Sequence, residues 1–260
     1  MKTILKELAK KIEINLSDEE IEKFILYKNE LKEWNEKINL TAITDDEEII
    51  LKHFIDSLLS APYFNAKSFI DVGSGGGFPA LPILIMNENI NGTMLEATGK
   101  KCEFLNVVIK ELELKNAFVI NGRAEELALK EEYREKFDIC SARAVARLNT
   151  LSEYCIPFVK LGGKFISLKG DAKEEILEAS RKENKRTVKR YRFTVPYFYH
   201  LSFHFNVSFP YTCVQIRCNH TGNARVLRHD FGRISMDKCT STCCIKGRKP
   251  LRNQCTNYTR

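Results

Sequence analysis

The segment Asp71-Val72-Gly73-Ser74-Gly75-Gly76-Gly77-Phe78-Pro79 constrains the fold of this chain more than any other stretch. It follows a short, nearly continuous apolar run at 68–72 and leads into an apolar segment at 78–87. Its glycines therefore sit at a strand-to-helix turn. Glycine tolerates positive φ and leaves room where a Cβ would otherwise keep a ligand away from the backbone. The start of the next helix offers free N–H groups and a partial positive charge, which suit a carboxylate or phosphate. Alone, the segment places a ligand at the first strand–helix turn of an α/β sheet.

The flanking sequence supports such a sheet. Short apolar runs at 68–72, 93–96, 118–121, 137–141 and 164–169 read as strands, and 78–87, 100–114, 124–136 and 148–159 read as helices. This alternation implies parallel strands with right-handed crossovers. Residues 1–60 read instead as a helical prefix. Leu5, Leu8, Ala9 and Ile12 recur at helical spacing, Ser17 with Glu20 and Thr44 with Glu47 fit capping boxes, and Ile21, Phe24, Ile25, Leu31, Trp34 and Ile38 continue one apolar face. The expected class is α/β: a Rossmann-like core over 61–180, the prefix over 1–60, and an atypical tail over 181–260.

Two details narrow the ligand. The dinucleotide fingerprint requires a third glycine where Phe78 stands, which argues against a nucleotide-dependent oxidoreductase. The spacing is D-x-G-x-G-x-G, the form seen in S-adenosylmethionine methyltransferases. Glu96 closes the second strand 23 residues after Gly73, where a carboxylate can accept both ribose hydroxyls. Asp71, Gly73, Gly75, Gly77 and Glu96 are therefore candidate cofactor residues, and S-adenosyl-L-methionine is the expected cofactor.

A set of ordered motifs points further. These are Trp34-Asn35-x-x-Ile38-Asn39-Leu40-Thr41, His53-x-x-Asp56-Ser57, the glycine loop, Gly122-Arg123-Ala124-Glu125, Ser141-Ala142-Arg143-Ala144-Val145 and Leu168-Lys169-Gly170. Over about residues 1–178 the chain resembles the ribosomal RNA small subunit methyltransferase G family, also called glucose-inhibited division protein B. The resemblance implies a class I methyltransferase acting on N7 of a guanine in 16S rRNA. It also implies that Gly73 and Phe78 line the cofactor site, that Ala124 and Glu125 contact the adenine, and that Arg143 lies between cofactor and substrate as a cofactor contact and the candidate catalytic residue. Arg123, Arg143 and Lys169 would face RNA. Guanine N7 carries a lone pair and no proton, so the reaction asks for alignment rather than a general base, and no catalytic metal or Ser/His/Asp triad is expected. His53, beside Phe54, reads as a packed, hydrogen-bonded side chain.

Charge divides the chain near residue 181. Residues 1–180 carry a net charge of −7, residues 181–260 one of +14, and six of the nine cysteines fall in the second part. The acidic body needs a local patch, such as Arg123, Arg143, Arg147 and Lys169, to meet RNA phosphates. The family pattern stops near Arg181, so the core is expected to lack its usual last strands. Three readings of the tail compete. The leading one is a sequence foreign to the family, from a frameshift or fusion. The second is a basic RNA-binding extension. The third is a zinc module built from Cys213, Cys218, His220, Cys239, Cys243, Cys244 and Cys255, which their irregular spacing disfavours. The alternative to an active enzyme is an inactive or truncated RNA-binding relative. No apolar run reaches the roughly 20 residues of a membrane span, and the N-terminus is not a secretory signal. A cytoplasmic monomer whose partner is the small ribosomal subunit is the expectation.

Overall fold

The computed structural model describes residues 1–143, 145–169 and 175, together with the backbone of 191–193 and 212–218. The prefix comprises α1 (Lys2–Lys11), α2 (Asp18–Asn35), α3 (Asp46–Ile49), a π-helical turn (Ile50–Ile55) and α4 (Asp56–Leu58). The core follows as β1 (Ser68–Val72), α5 (Ala80–Met86), β2 (Asn91–Glu96), α6 (Gly99–Glu111), β3 (Ala117–Asn121), α7 (Ala124–Leu127), β4 (Phe137–Arg143), α8 (Leu148–Cys155) and β5 (Val159–Lys169). Two further strands are β6 (Tyr191–Phe193) and β7 (Thr212–Cys218).

All seven strands form one sheet in the order β3-β2-β1-β4-β5-β7-β6. The first five are parallel, with Asp71 level with Met94 on one side and Ser141 on the other. The order reverses at β1, so the carboxyl ends of β1 and β4 flank the crevice where ligands bind in open α/β sheets.

Alternation along each strand sorts the core into two layers. Phe69, Met94, Ile139, Ile166 and Leu168 pack with α1, α2, α5, α6 and the π-helical turn. Ile70, Val72, Leu95, Cys140, Ala142 and Phe165 pack with α7 and α8 on the other face. Burial on both faces explains why β1 has no alternating pattern in its sequence. Because Asp71, Ser141 and Arg143 alternate with the second set, they point toward the helical prefix.

Several expectations change. The sheet does not stop after five strands: Thr212–Cys218 runs antiparallel to β5, pairing Lys164 with Arg217 through Lys169 with Thr212, and Tyr191–Phe193 pairs with it. The compositional boundary near 181 is therefore not a boundary of the sheet. The chain divides instead into Met1–His229 and Asp230–Arg260, and the second unit lies outside the described residues. His220, Cys239, Cys243, Cys244 and Cys255 also lie outside them, so the zinc reading finds no support or refutation there. The expected helix over 124–136 ends at Leu127. Beyond it Leu129 is 79% exposed and 130–136 is charged except for Tyr133, which rests partly on the core, so no continuous apolar face remains to bury. The second capping box is absent. Asp45, not Thr44, caps α3, accepting from the N–H groups of Glu47 and Glu48, both at 3.0 Å. The Ser17–Glu20 box is present in both directions.

Candidate active site

The loop after β1 is tied to its surroundings by its backbone. The Gly73 N–H donates to the Leu95 carbonyl at 2.8 Å, and the Gly77 N–H donates to the Ser74 carbonyl at 2.7 Å. The hydroxyl of Tyr27, from α2, donates to the Gly76 carbonyl. Gly73 and Gly77 have φ of 71° and 92°. A Cβ at Gly73 would stand 2.7 Å from a methyl of Val145, and one at Gly77 would stand 2.9 Å from the Tyr27 hydroxyl. Their glycine requirement is thus internal to the protein. Gly75, with φ of 55°, is different: a Cβ there would meet only the Gly73 carbonyl oxygen, at an ordinary 3.8 Å. It is the one of the three that a ligand can approach closely.

Two carboxylates border this loop. Glu96, at the end of β2 and only 7% exposed, accepts from the Gly75 N–H through one oxygen and the Thr98 N–H through the other, both at 2.9 Å. Each oxygen keeps a second lone pair, enough to accept a pair of neighbouring hydroxyls. Asp71 is fully buried. Its Oδ1 accepts from the Ser141 hydroxyl at 2.7 Å, while Oδ2 has no hydrogen-bond partner. Burial pushes its carboxyl up to about 7, against the Ser141 hydrogen bond and the charge of Arg143. An orphaned buried carboxylate oxygen calls for a cationic or N–H-bearing group, because such an atom is costly to bury unpaired. S-adenosylmethionine carries an ammonium, a sulfonium and a ribose diol, so the loop, Asp71 and Glu96 fit its chemistry.

Arg143 ends β4 but does not face solvent. Its side chain is 8% exposed, with Nη1 at 3.4 Å from both the Asp56 carboxylate and the Lys52 carbonyl. Its Nη2 lies 3.2 Å from His53 Nδ1, and the guanidinium lies over the Phe78 ring, 4.6 Å from its centroid. Phe78 is itself buried, stacked with His53 at 4.5 Å and packed against Tyr27 at 5.4 Å. It therefore supports Arg143 from within the core rather than standing open beside the loop. Burial, reinforced by Arg143, pulls His53 down to about 3, so the ring is neutral. Asp56 moves the other way, to about 7, because burial outweighs the pull of Arg143.

The remaining candidates are spread apart in exposure. Arg123 is the N-cap of α7, 67% exposed, with Glu125 at 3.9 Å and half exposed; Ala124 is buried behind them. Lys169 is 11% exposed and bonded at 2.7 Å to Glu175, which also accepts from the Leu148 N–H. Arg123, Arg143 and Lys169 thus do not present three comparable charges to RNA, because two of them are turned inward onto carboxylates. The residues around Arg143 that the sequence did not single out as functional are Thr41, His53 and Asp56. A usable signal was there: two polar residues three apart, His53 and Asp56, interrupt an otherwise apolar helical face.

A family model for rRNA small subunit methyltransferase G matches residues 20–197. The chain belongs to this family. Among curated relatives, the ribosomal RNA small subunit methyltransferase G of Clostridium botulinum strain Eklund 17B is 53% identical over 177 residues, covering 67% of this chain and 74% of the relative. The protein of the same name from Acetivibrio thermocellus is 50% identical over 184 residues, covering 70% and 76%. Among solved structures, an O-methyltransferase from Bacillus cereus in complex with SAH is similar over 75% of this chain and 90% of its own, at 16% identity and a TM-score of 0.49. The family match runs past residue 181, consistent with β6 belonging to the sheet.

Proposed function

We propose that this protein transfers the methyl group of S-adenosylmethionine to N7 of a guanine in 16S rRNA. Its family acts on small-subunit rRNA, and that activity is the chain's own. The observation that carries the cofactor reading is Glu96, a buried carboxylate 2.9 Å from the Gly75 N–H at the mouth of the glycine loop. When bound, the cofactor supplies an electrophilic sulfonium methyl. Glu96 accepts the ribose hydroxyls, Asp71 offers its open oxygen to a cationic group, and Ala124 and Glu125 border the base. Arg143 stands at the end of β4, where cofactor and guanine meet. Because N7 has no proton to lose, none of these groups needs to act as a base, and the protein's contribution is alignment and exclusion of water. Arg123 is the RNA-facing charge of the set, since its side chain is the one open to phosphate. The proposed partner is the small ribosomal subunit, and the proposed setting is a cytoplasmic monomer. No helix among the described residues is long and apolar enough to cross a membrane.

The test is to incubate the full chain with S-adenosylmethionine and small subunits, then treat the rRNA with borohydride and aniline. That treatment cleaves at N7-methylguanine. Cleavage at a single guanine is the expected result. Methyl incorporation without cleavage would move the target to another atom and overturn the N7 reading.

A further inference from the structure

We propose that Asn35, Thr41, His53 and Asp56, all from the helical prefix, are positioning residues that fix the Arg143 guanidinium and thereby set the rate of methyl transfer. The inference rests on the reading of Arg143 as a residue at the reacting centre.

The four residues form a connected path. Asn35, the last residue of α2, accepts the N–H groups of Leu40 and Thr41 through one oxygen, each at 2.9 Å, which shapes the turn that follows. That turn delivers the Thr41 hydroxyl, held in turn by the Ile43 N–H at 3.0 Å, to within 2.7 Å of His53 Nε2. The other ring nitrogen, Nδ1, meets Arg143 Nη2 at 3.2 Å. Guanidinium is donor-only, so Nδ1 must accept, and a neutral ring then carries its proton on Nε2 and donates to Thr41. The guanidinium thus fixes the tautomer, and the Thr41 hydroxyl, able to accept, accommodates it. Asp56 and the Lys52 carbonyl take Arg143 Nη1, and Phe78 supports both His53 and the guanidinium.

This places partners on both terminal nitrogens of a side chain with several rotatable bonds. A guanidinium held this way needs no reordering when substrate arrives, which is what a preorganised site requires. His53, Asp56 and Lys52 sit on or beside the π-helical turn, a geometry frequent at functional sites. His53 and Asp56 lie 90 and 87 residues before Arg143, yet with Asn35 and Thr41 they meet it in one hydrogen-bonded path. Polar packing alone would need neither the fixed tautomer nor the direction of the path toward Arg143.

The experiment measures single-turnover methyl transfer to small subunits with the full chain in excess, alongside S-adenosylmethionine affinity and melting temperature. Arg143→Ala should slow transfer about a hundredfold. His53→Phe keeps a ring against Phe78 but removes both hydrogen bonds. It should slow transfer at least tenfold with cofactor affinity within about twofold of the parent. Thr41→Val should slow it severalfold and Thr41→Ser should restore it, which carries the test if His53→Phe does not fold. The double variant His53→Phe, Arg143→Ala should be no slower than Arg143→Ala alone. Should Arg143→Ala be slow while His53→Phe and Thr41→Val run at the parent rate, the positioning role is overturned and the reading of Arg143 stands. A fully additive loss in the double variant overturns it equally. Should Arg143→Ala itself run at the parent rate, the reading of Arg143 falls, and the inference with it.

Discussion

At the scale of single residues, the roles proposed for Glu96 and Asp71 each make a separable prediction. Removing the Glu96 carboxylate frees the Gly75 and Thr98 N–H groups and takes away the proposed acceptor for the ribose. Glu96→Ala should weaken S-adenosylmethionine binding by about 1–3 kcal/mol, the usual loss for hydrogen bonds to a charged group. Calorimetry giving an unchanged Kd would remove Glu96 from the site. Asp71 predicts a dependence on pH. Its carboxyl is raised by burial to about 7, whereas the unfolded chain titrates near 3.9. Between those values the folded chain holds a proton that the unfolded chain lacks. Stability therefore falls as pH rises from about 4 to 7, by up to ~1.4 kcal/mol per pH unit for each such group, and Asp56 acts in the same sense. Asp71→Asn should flatten part of this slope in melting scans from pH 5 to 7. A positive group beside Oδ2 favours the ionised form, so the cofactor should bind the parent more tightly at pH 8 than at pH 6. An identical slope in parent and variant would show that Asp71 is ionised throughout. Of these residues the glycines, Asp71 and Glu96 were legible in the sequence because spacing along one chain segment reports them. The inward turn of Arg143 was not legible, because it depends on Asp56, 87 residues away; that of Lys169 depends on nearby Glu175, but no periodic pattern reports the pair.

At the scale of elements, the prefix must hold the π-helical turn in place for His53 and Asp56 to reach Arg143. One strut is visible. Lys28 of α2 is nearly buried, and its ammonium lies 2.7 Å from Asp46 at the start of α3, with Lys32 on the other oxygen at 2.6 Å. Both lysines hold the Asp46 carboxyl below its usual range. Breaking a fully buried pair by removing one partner costs about 3–5 kcal/mol; with Asp46 partly exposed, Asp46→Ala should cost about 1–3 kcal/mol in urea unfolding. Lys28→Met, which replaces the charge by an apolar chain of similar length, should cost less. If Asp46→Ala unfolds at the parent midpoint, the pair does not hold α2 and α3 together. Most helices here were readable from periodicity, as α2 shows with Ile21, Phe24 and Leu31 all buried. The failure at 124–136 is equally physical: after α7 the chain is mostly charged, and Tyr133 alone among residues 129–136 packs against the core, too little to sustain a helix.

The fold of the whole molecule was legible through β5 and hidden beyond it. The motifs legible in the sequence end before residue 181, and composition changes sharply there, so the segment reads as foreign although the family match runs on to 197. Yet Thr212-Cys213-Val214-Gln215-Ile216-Arg217 alternates polar residues with Val214 and Ile216, a period-two pattern of a half-buried strand. Its pairing matters because β5 carries Phe165 and Ile166, both fully buried, in the segment that β7 covers. Without β7, the outer edge of β5 would expose unpaired N–H and C=O groups along an apolar strand, a template for aggregation. Two truncations separate the contributions of sheet and tail. A chain ending after residue 190 lacks both β6 and β7, and it should melt at least several degrees lower and aggregate on concentration. A chain ending after residue 229 keeps the seven-stranded order and omits only the second unit. It should melt within about two degrees of the full chain and bind S-adenosylmethionine with the same affinity. Light scattering and melting curves on the three chains read both effects. If the shorter truncation stays monodisperse with the parent melting temperature, β7 is not needed to cover β5, and the five parallel strands suffice as a fold.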